Sequence, residues 1–279
     1  MLYRSSINRS SISAIALVGA IMGALCVTTT GAAAWDDSKY PDFSGQWRPI
    51  GGPGRFARDV KAPLTPEYQA IFDATKSEGG QSFHNKTYLC WSPGMPRVTN
   101  GYGELEFVVT AKTFHILVDH IYDNRRISTD GRPWPEHPTP TLLGTSIGQW
   151  VDEDGDGKYD VLVVETRGFR GPRAFDATGL PLHRDNQTVI KERFYIDKSD
   201  PNVAHDEVTV IDNALTRPWT VTKNYRRDPK NVFPEWTEEN CPETNPHLAI
   251  GKDDYMLSAD GFLMPTKKGQ KSPDLRYFK

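Results

Sequence analysis

The segment QTVIKERFYID, Gln187–Asp197, carries the clearest sign of the fold. Ile190, Phe194 and Ile196 fall on one side of an extended chain, and charged residues such as Lys191 fall on the other. An alternation of apolar and polar residues with a period of two is typical of a half-buried β-strand. The segment therefore predicts a strand with one face in a core.

The same alternation recurs on both sides of this segment. Further strands are predicted at Glu104–Ala111, Thr113–Ile121, Asp123–Thr129, Thr145–Val151, Asp160–Thr166, Ala204–Ile211 and Trp219–Arg227. One helix is predicted from Thr65 to about Lys76, because Thr65 suits an N-cap and Pro66 suits the first helical position.

Successive strands without intervening helices predict an all-β protein. We expect an antiparallel up-and-down barrel of about eight to ten strands, since closure removes exposed edges. The barrel is expected over residues 43–232, after a linker over residues 35–42. Residues 233–279, rich in Pro, Glu, Asn and Lys, are expected to form an irregular C-terminal wrap.

Residues 1–34 have the three parts of a signal peptide. Arg4 and Arg9 precede an apolar run over residues 12–27, and Ala32–Ala34 supplies a small-residue cleavage site. The alternative is a membrane anchor, but the run is shorter than the roughly 20 residues that span a bilayer. We expect a periplasmic or secreted protein with no transmembrane segment after cleavage.

The composition limits the partners. The chain has 33 basic and 36 acidic residues, a net charge of −3, which argues against a nucleic-acid partner. Cleavage would remove Cys26 and leave Cys90 and Cys241, which predicts a disulfide in an oxidising compartment. The alternative is two buried thiols. The oligomeric state is left open.

Several short blocks carry a resemblance. The segment DFSGQW, residues 42–47, resembles the first strand of lipocalin-like barrels. The chain also resembles a largely uncharacterised family of secreted bacterial proteins through CWSPGMPR (90–97), RRISTDGR (125–132), SIGQW (146–150), ERF (192–194) and RPWT (217–220). The resemblance implies a lipocalin-like barrel and implies no reaction. The chain departs from the family in a longer acidic turn after Trp150.

That acidic turn predicts a metal site. Asp152, Asp154, Asp156 and Asp160 occupy positions 1, 3, 5 and 9 of a calcium-loop pattern. Position 12, normally a bidentate Glu, is Val163. We therefore expect one weakly bound structural Ca²⁺, and the alternative is a solvated acidic hairpin tip.

Ionisable residues also fall on apolar strand faces. Glu192, Asp206 and His120 are each expected to point into the barrel, where burial would raise carboxyl pKa values and lower that of His. Groups with such pKa values are candidates for a general acid and base. Tyr225 is a candidate donor to developing negative charge. The alternative is internal salt bridges, with Arg125, Arg126 and Arg193 as the partners.

These residues lead to three functional hypotheses. The first is a cofactor-free acid–base enzyme of the lyase, hydratase or isomerase type, acting on a small hydrophobic molecule in the barrel. The second is a binding or carrier protein for an apolar ligand, and the third is a structural envelope protein with a filled barrel. Nucleotide, flavin and Ser-elbow motifs are absent from the sequence, so no organic cofactor is expected.

Overall fold

The fold is described from a computed structural model. It describes residues 35–52, 54–58, 60–77, 92–100, 103–119, 124–227, 236, 247–250 and 253–273. The chain divides into two units, Met1–Asp36 and Asp37–Lys279. All elements below belong to the second unit. The whole of the expected signal peptide, together with Cys90 and Cys241, lies outside the described residues, so cleavage and the disulfide stay predictions.

Nine strands close into a barrel, which confirms the predicted fold class. They are β1 (Gln46–Pro49), β2 (Leu105–Val109), β3 (Thr113–Val118), β4 (Arg125–Ser128), β5 (Thr145–Val151), β6 (Val161–Arg167), β7 (Val189–Ile196), β8 (Val203–Ile211) and β9 (Trp219–Arg227). Strand β9 pairs with β1 and so completes the closure. Closure leaves the barrel sheet without a free edge.

One pair of neighbouring strands is parallel instead of antiparallel. Strand β5 runs alongside β4, with Ile127 opposite Ser146. A parallel pair needs a connection long enough to return the chain to the starting end. Residues 129–144 make that return, and their four prolines disfavour an additional paired strand. The meander is therefore interrupted once, which strand alternation alone does not reveal.

The predicted helix is present as α1, Pro66–Ser77. The Thr65 hydroxyl accepts a hydrogen bond from the Tyr68 N–H at 3.4 Å, as an N-cap residue does. The buried Tyr68 also accepts a hydrogen bond from the Arg184 N–H at 3.1 Å. The helix is thus anchored to the loop between β6 and β7.

The C-terminal segment contains regular structure where an irregular wrap was expected. Strands β10 (His247–Ile250), β11 (Asp253–Leu257) and β12 (Leu263–Pro265) form an antiparallel three-stranded sheet. The turn between β11 and β12 is closed by hydrogen bonds between Ser258 and Phe262. These strands are short and their composition is polar, so alternation in the sequence does not predict them.

Aromatic side chains fill one half of the barrel. Phe107 and Phe114 stack with ring centroids 5.6 Å apart, and Phe43 and Trp150 pack against them. Phe194 contacts both stacked rings. Each aromatic pair contributes roughly 0.5–1.5 kcal/mol beyond the area that it buries. We call this half the aromatic end, and it has the packed interior expected of a structural core.

The opposite end, where β2, β4, β5, β7 and β9 begin, is covered by loops. Phe56 and Phe175 pack on Trp219 with centroid distances of 4.9 and 5.4 Å. Two cavities lie between these loops and the strands. We call this end of the barrel the cavity end.

In the described part of the chain, no helix is long and apolar enough to cross a membrane.

Candidate functional site

A buried ion pair lies inside the barrel between strands β4 and β7. Both terminal nitrogens of Arg125 donate to the Glu192 carboxylate, Nη1 to Oε1 at 2.6 Å and Nη2 to Oε2. The two side chains are 2% and 0% exposed. The expected inward orientation of Glu192 is therefore seen, and so is the salt bridge that the sequence analysis kept as the alternative.

Two hydroxyl groups hold the guanidinium in place. Arg125 Nη2 also donates to Thr166 Oγ1 at 3.1 Å and approaches Ser146 Oγ at 3.5 Å, and the two hydroxyls lie 2.8 Å apart. Burial acts to lower the pKa of Arg125, but the Glu192 charge and hydrogen bond outweigh it, so the pKa is raised. The group is therefore a permanently charged, oriented cation.

Asp206 lies beside this pair without a hydrogen-bond partner. It is 1% exposed, and neither carboxylate oxygen has a partner among the residues the structure describes. Phe194 is opposite Asp206 and Val208 is opposite Glu192, so the two carboxyl groups are diagonal neighbours on β7 and β8. Burial, followed by the charge of Glu192, raises the pKa of Asp206 well above its usual value. Asp206 therefore keeps its proton to a higher pH than an exposed carboxyl group does.

Tyr225 belongs to the same electrostatic cluster. Its buried hydroxyl donates to the Thr99 carbonyl at 3.3 Å. Burial, with further contributions from Asp206 and Glu192, raises its pKa well above the usual value. Three of the four predicted catalytic residues are thus brought together. His120 lies outside the described residues, and its role stays a prediction.

The larger cavity at the cavity end has a volume of about 660 Å³. Its lining residues are Ser92, Asn124, Arg125, Arg126, Thr141, Leu142, Leu143, Gly144, Ser146, Arg170, Gly171 and Pro172. Three of these are arginines and none is acidic. The volume is within the range of about 300–1,000 Å³ that is typical of small-molecule sites.

The cavity wall is held by close backbone packing. Gly144 has φ 72°, and a Cβ there would lie 2.6 Å from the Phe169 ring and 2.7 Å from the Arg167 carbonyl. The Leu142 carbonyl accepts a hydrogen bond from the Met95 N–H at 3.0 Å. A side chain at position 144 would clash with this wall, so a glycine is required there.

A smaller cavity of about 430 Å³ adjoins β9. Lys223 Nζ donates there to the Phe56 carbonyl and to Asn100 Oδ1, and to the Arg55 carbonyl at 3.3 Å. The ammonium also lies 4.7 Å from the Phe56 ring centroid. Burial lowers the pKa of Lys223 to about 8. Since its donors bind these acceptors, Lys223 fastens the loop over the barrel.

The acidic turn lies between β5 and β6, at the aromatic end. Carboxylate oxygens of Asp152, Asp154 and Asp156 approach within 4.8 Å of one another, but Asp160 is not part of that group. Asp160 instead accepts the Glu153 N–H at 2.8 Å. Asp152 accepts the N–H groups of Gly155 and Gly157, so the turn is stabilised by its own backbone. Calcium binding stays a prediction, which calcium titration monitored by thermal unfolding would test.

The sequence did not predict the cavity, nor that its three arginines would lie together. Arg125 and Arg126 were considered as salt-bridge partners, and Arg170 was not singled out. These residues lie on two separate segments that meet only when the barrel closes. The available signal was the pair Arg125-Arg126 at the start of a predicted strand.

The fold and the site define a closed β-barrel protein with a positively charged cavity at one end. Neither the known protein families nor the curated proteins include a match to this chain. The closed nine-stranded barrel is compatible with the expected lipocalin-like architecture. A functional conclusion therefore has to be argued from the site itself.

Proposed function

We propose that this protein binds a small organic molecule reversibly in the 660 Å³ cavity. The observation that carries the proposal is Arg125, which lines the cavity and is held in one orientation by Glu192 and Thr166. An oriented cation in a preformed cavity reduces the ordering cost of binding. We therefore prefer the hypothesis of a binding or carrier protein over that of an enzyme. The cavity is more polar than the apolar ligand expected from the sequence would require.

The acid–base enzyme remains the less supported candidate. A general base must reach the proton that it abstracts. Both oxygens of Glu192 accept hydrogen bonds from Arg125, and neither Glu192 nor Asp206 is among the residues that line the described cavities. Tyr225 lines the smaller cavity only. A lyase or isomerase reaction by these residues would require a rearrangement of the ion pair.

We also propose that the protein works in the periplasm or outside the cell, after cleavage near Ala34. The signal-like sequence of residues 1–34 supports this proposal, as does the resemblance to secreted bacterial proteins. A carrier in that compartment would collect its ligand from the surroundings. N-terminal sequencing of the protein recovered from culture fractions tests the location.

Native mass spectrometry of the purified protein, followed by organic extraction, tests binding. We expect a co-purifying small molecule whose amount falls at least about tenfold in Thr141→Trp, because that ring would occupy the cavity. Val108→Trp, on an exposed outward-facing strand position, is the matched control and should retain the molecule. Thermal unfolding establishes that both variants are folded. Equal retention by the two variants would refute the site, and a wild-type protein that never carries or takes up a molecule would refute the function.

A further inference from the structure

We infer that the ligand of the larger cavity is an organic acid whose carboxylate is bound by Arg126 and Arg170, with Arg125 in the wall behind them. This inference rests on the proposed binding function and names its ligand class. It differs from the apolar ligand expected from the sequence. Three features of the cavity lining support it: its positive charge, its donors without a described acceptor, and its apolar part.

The two outer arginines, Arg126 and Arg170, are solvent-exposed. Neither Arg126 nor Arg170 forms an ion pair with any residue in the described ranges, whereas Arg193 and Arg227 each have a carboxylate within 3 Å. Burial and the charge of Arg126 together lower the pKa of the neighbouring His115. Both guanidinium groups line one cavity, and none of the described residues of its lining is acidic. An anionic ligand would complete their pairing.

Arg125 provides a second, independent observation. Its Nε is buried and has no acceptor within the described part of the chain, although its two terminal nitrogens are bound. A buried donor without a partner costs free energy that an acceptor in the cavity would recover. The neighbouring Ser146 hydroxyl also lines the cavity and can donate or accept. Arg125, a residue of the cavity lining, thus has a donor without a described acceptor in addition to its charge.

The remaining lining residues indicate the polarity of the rest of the ligand, beyond its charged group. Leu142, Leu143 and Pro172 form an apolar part of the wall, and Ser92 and Thr141 add neutral hydroxyls. An inorganic ion would leave the apolar part in contact with water. A cationic ligand would meet three like charges. A carboxylate on a short apolar body matches both parts of the cavity, since guanidinium forks bind planar carboxylates.

Isothermal titration calorimetry of the purified protein tests the ligand class with defined probes. Octanoate and phenylacetate are compared with octanamide, octylammonium and octyl phosphate. We expect the two carboxylates to bind at least about tenfold more tightly than octanamide, because only the charged head forms charge-assisted hydrogen bonds. Added salt should weaken the carboxylates and leave octanamide unchanged. Tighter binding of octyl phosphate would overturn the carboxylate assignment.

Substitutions of the cavity arginines test which side chains bind the carboxylate. The double variant Arg126→Gln, Arg170→Gln should lose roughly tenfold or more in carboxylate affinity, with octanamide unaffected. Arg217→Gln is the matched control, because Arg217 is exposed and lies outside the cavity lining. Equal binding of octanamide and octanoate would overturn this inference and leave the binding function standing. If all probes fail and no molecule co-purifies, both fall.

Discussion

Arg125 and Glu192 depend on each other inside the barrel. They are 67 residues apart in sequence, and their charges cancel at a position where neither is solvated. A buried pair can contribute little net stability compared with an apolar replacement, but removing one partner leaves an unpaired charge. The consequence at the residue scale is a strong asymmetry between single and double substitutions.

Glu192→Gln should therefore destabilise the protein by about 3 kcal/mol, since the Arg125 guanidinium would remain charged and buried. The free energy of unfolding, measured by urea denaturation, reports the change. The double variant Arg125→Met, Glu192→Met should be clearly more stable than Glu192→Gln. A double variant that is less stable than the single one would show that the pair contributes net stability beyond charge cancellation.

Asp206 makes the stability of the protein depend on pH. Because its folded pKa is raised above the usual 3.8, the folded state binds more protons than the unfolded chain at pH values between the two. The free energy of unfolding contributed by Asp206 therefore falls as pH rises through that interval.

Asp206→Asn should abolish this loss, because an amide does not ionise. Relative to wild type, the variant should gain stability progressively over the pH range above about 4, by an amount on the order of 1–3 kcal/mol. Urea denaturation across that range provides the measurement. Asp156→Asn, at an exposed carboxylate, is the control. A difference between Asp206→Asn and wild type that stays constant with pH would contradict the raised pKa.

At the scale of elements, strand β9 holds the loop over residues 50–58 in place. Lys223 binds carbonyl groups of that loop and the Asn100 side chain, which in turn donates to the Phe175 carbonyl at 3.0 Å. Asp176 adds a hydrogen bond from the Phe56 N–H at 3.0 Å. One inward-facing lysine thus connects three loops at the cavity end.

Lys223→Met should release this loop while keeping most of the apolar stem. We expect a loss of about 1–3 kcal/mol, because the carbonyls of Arg55 and Phe56 and the amide oxygen of Asn100 lose their donor. Limited trypsin digestion should also become faster at Arg55 and Arg58, which belong to the loop. Lys191→Met, on the outward face of β7, is the matched control. Unchanged digestion in Lys223→Met would mean that the aromatic contacts of Phe56 hold the loop alone.

At the scale of the whole molecule, barrel closure depends on the short seam between β1 and β9. Arg227 lies 4.8 Å from the Trp47 ring centroid, and it donates to Asp42 Oδ2 and to the Ser44 and Pro201 carbonyls at 2.9 Å each. Its side chain is largely buried. The residue therefore joins the first and last strands of the barrel.

Arg227→Gln should lower the free energy of unfolding by about 2 kcal/mol, through lost hydrogen bonds and lost packing on Trp47. Arg226→Gln is a close control, because Arg226 is the exposed neighbour on the opposite face and pairs only with Asp200 among the described residues. We expect Arg226→Gln to cost less than about 1 kcal/mol. Equal effects of the two substitutions would contradict a special role of the seam.

Local order in the sequence was enough to predict the class of fold. Alternation in segments such as Gln187–Asp197 follows from the geometry of a strand, so it identified the inward positions of Glu192 and Asp206. The helix that begins at Pro66 was predicted from its N-cap, which is also a local feature of the sequence. The parallel pair of β4 and β5 and the sheet at His247–Pro265 were not predicted, because pairing between strands is not a local property.

The site depended on contacts that no local pattern encodes. Alternation places Arg125 and Glu192 on inward faces, but only barrel closure brings a residue of β4 against one of β7 and leaves a cavity beside them. Barrel closure also brings Arg170, in the loop after β6, into the same cavity lining as Arg126. Strand geometry acts between neighbouring residues and is written in the sequence, whereas ion pairing and cavity shape depend on three-dimensional distances that exist only once the chain has closed.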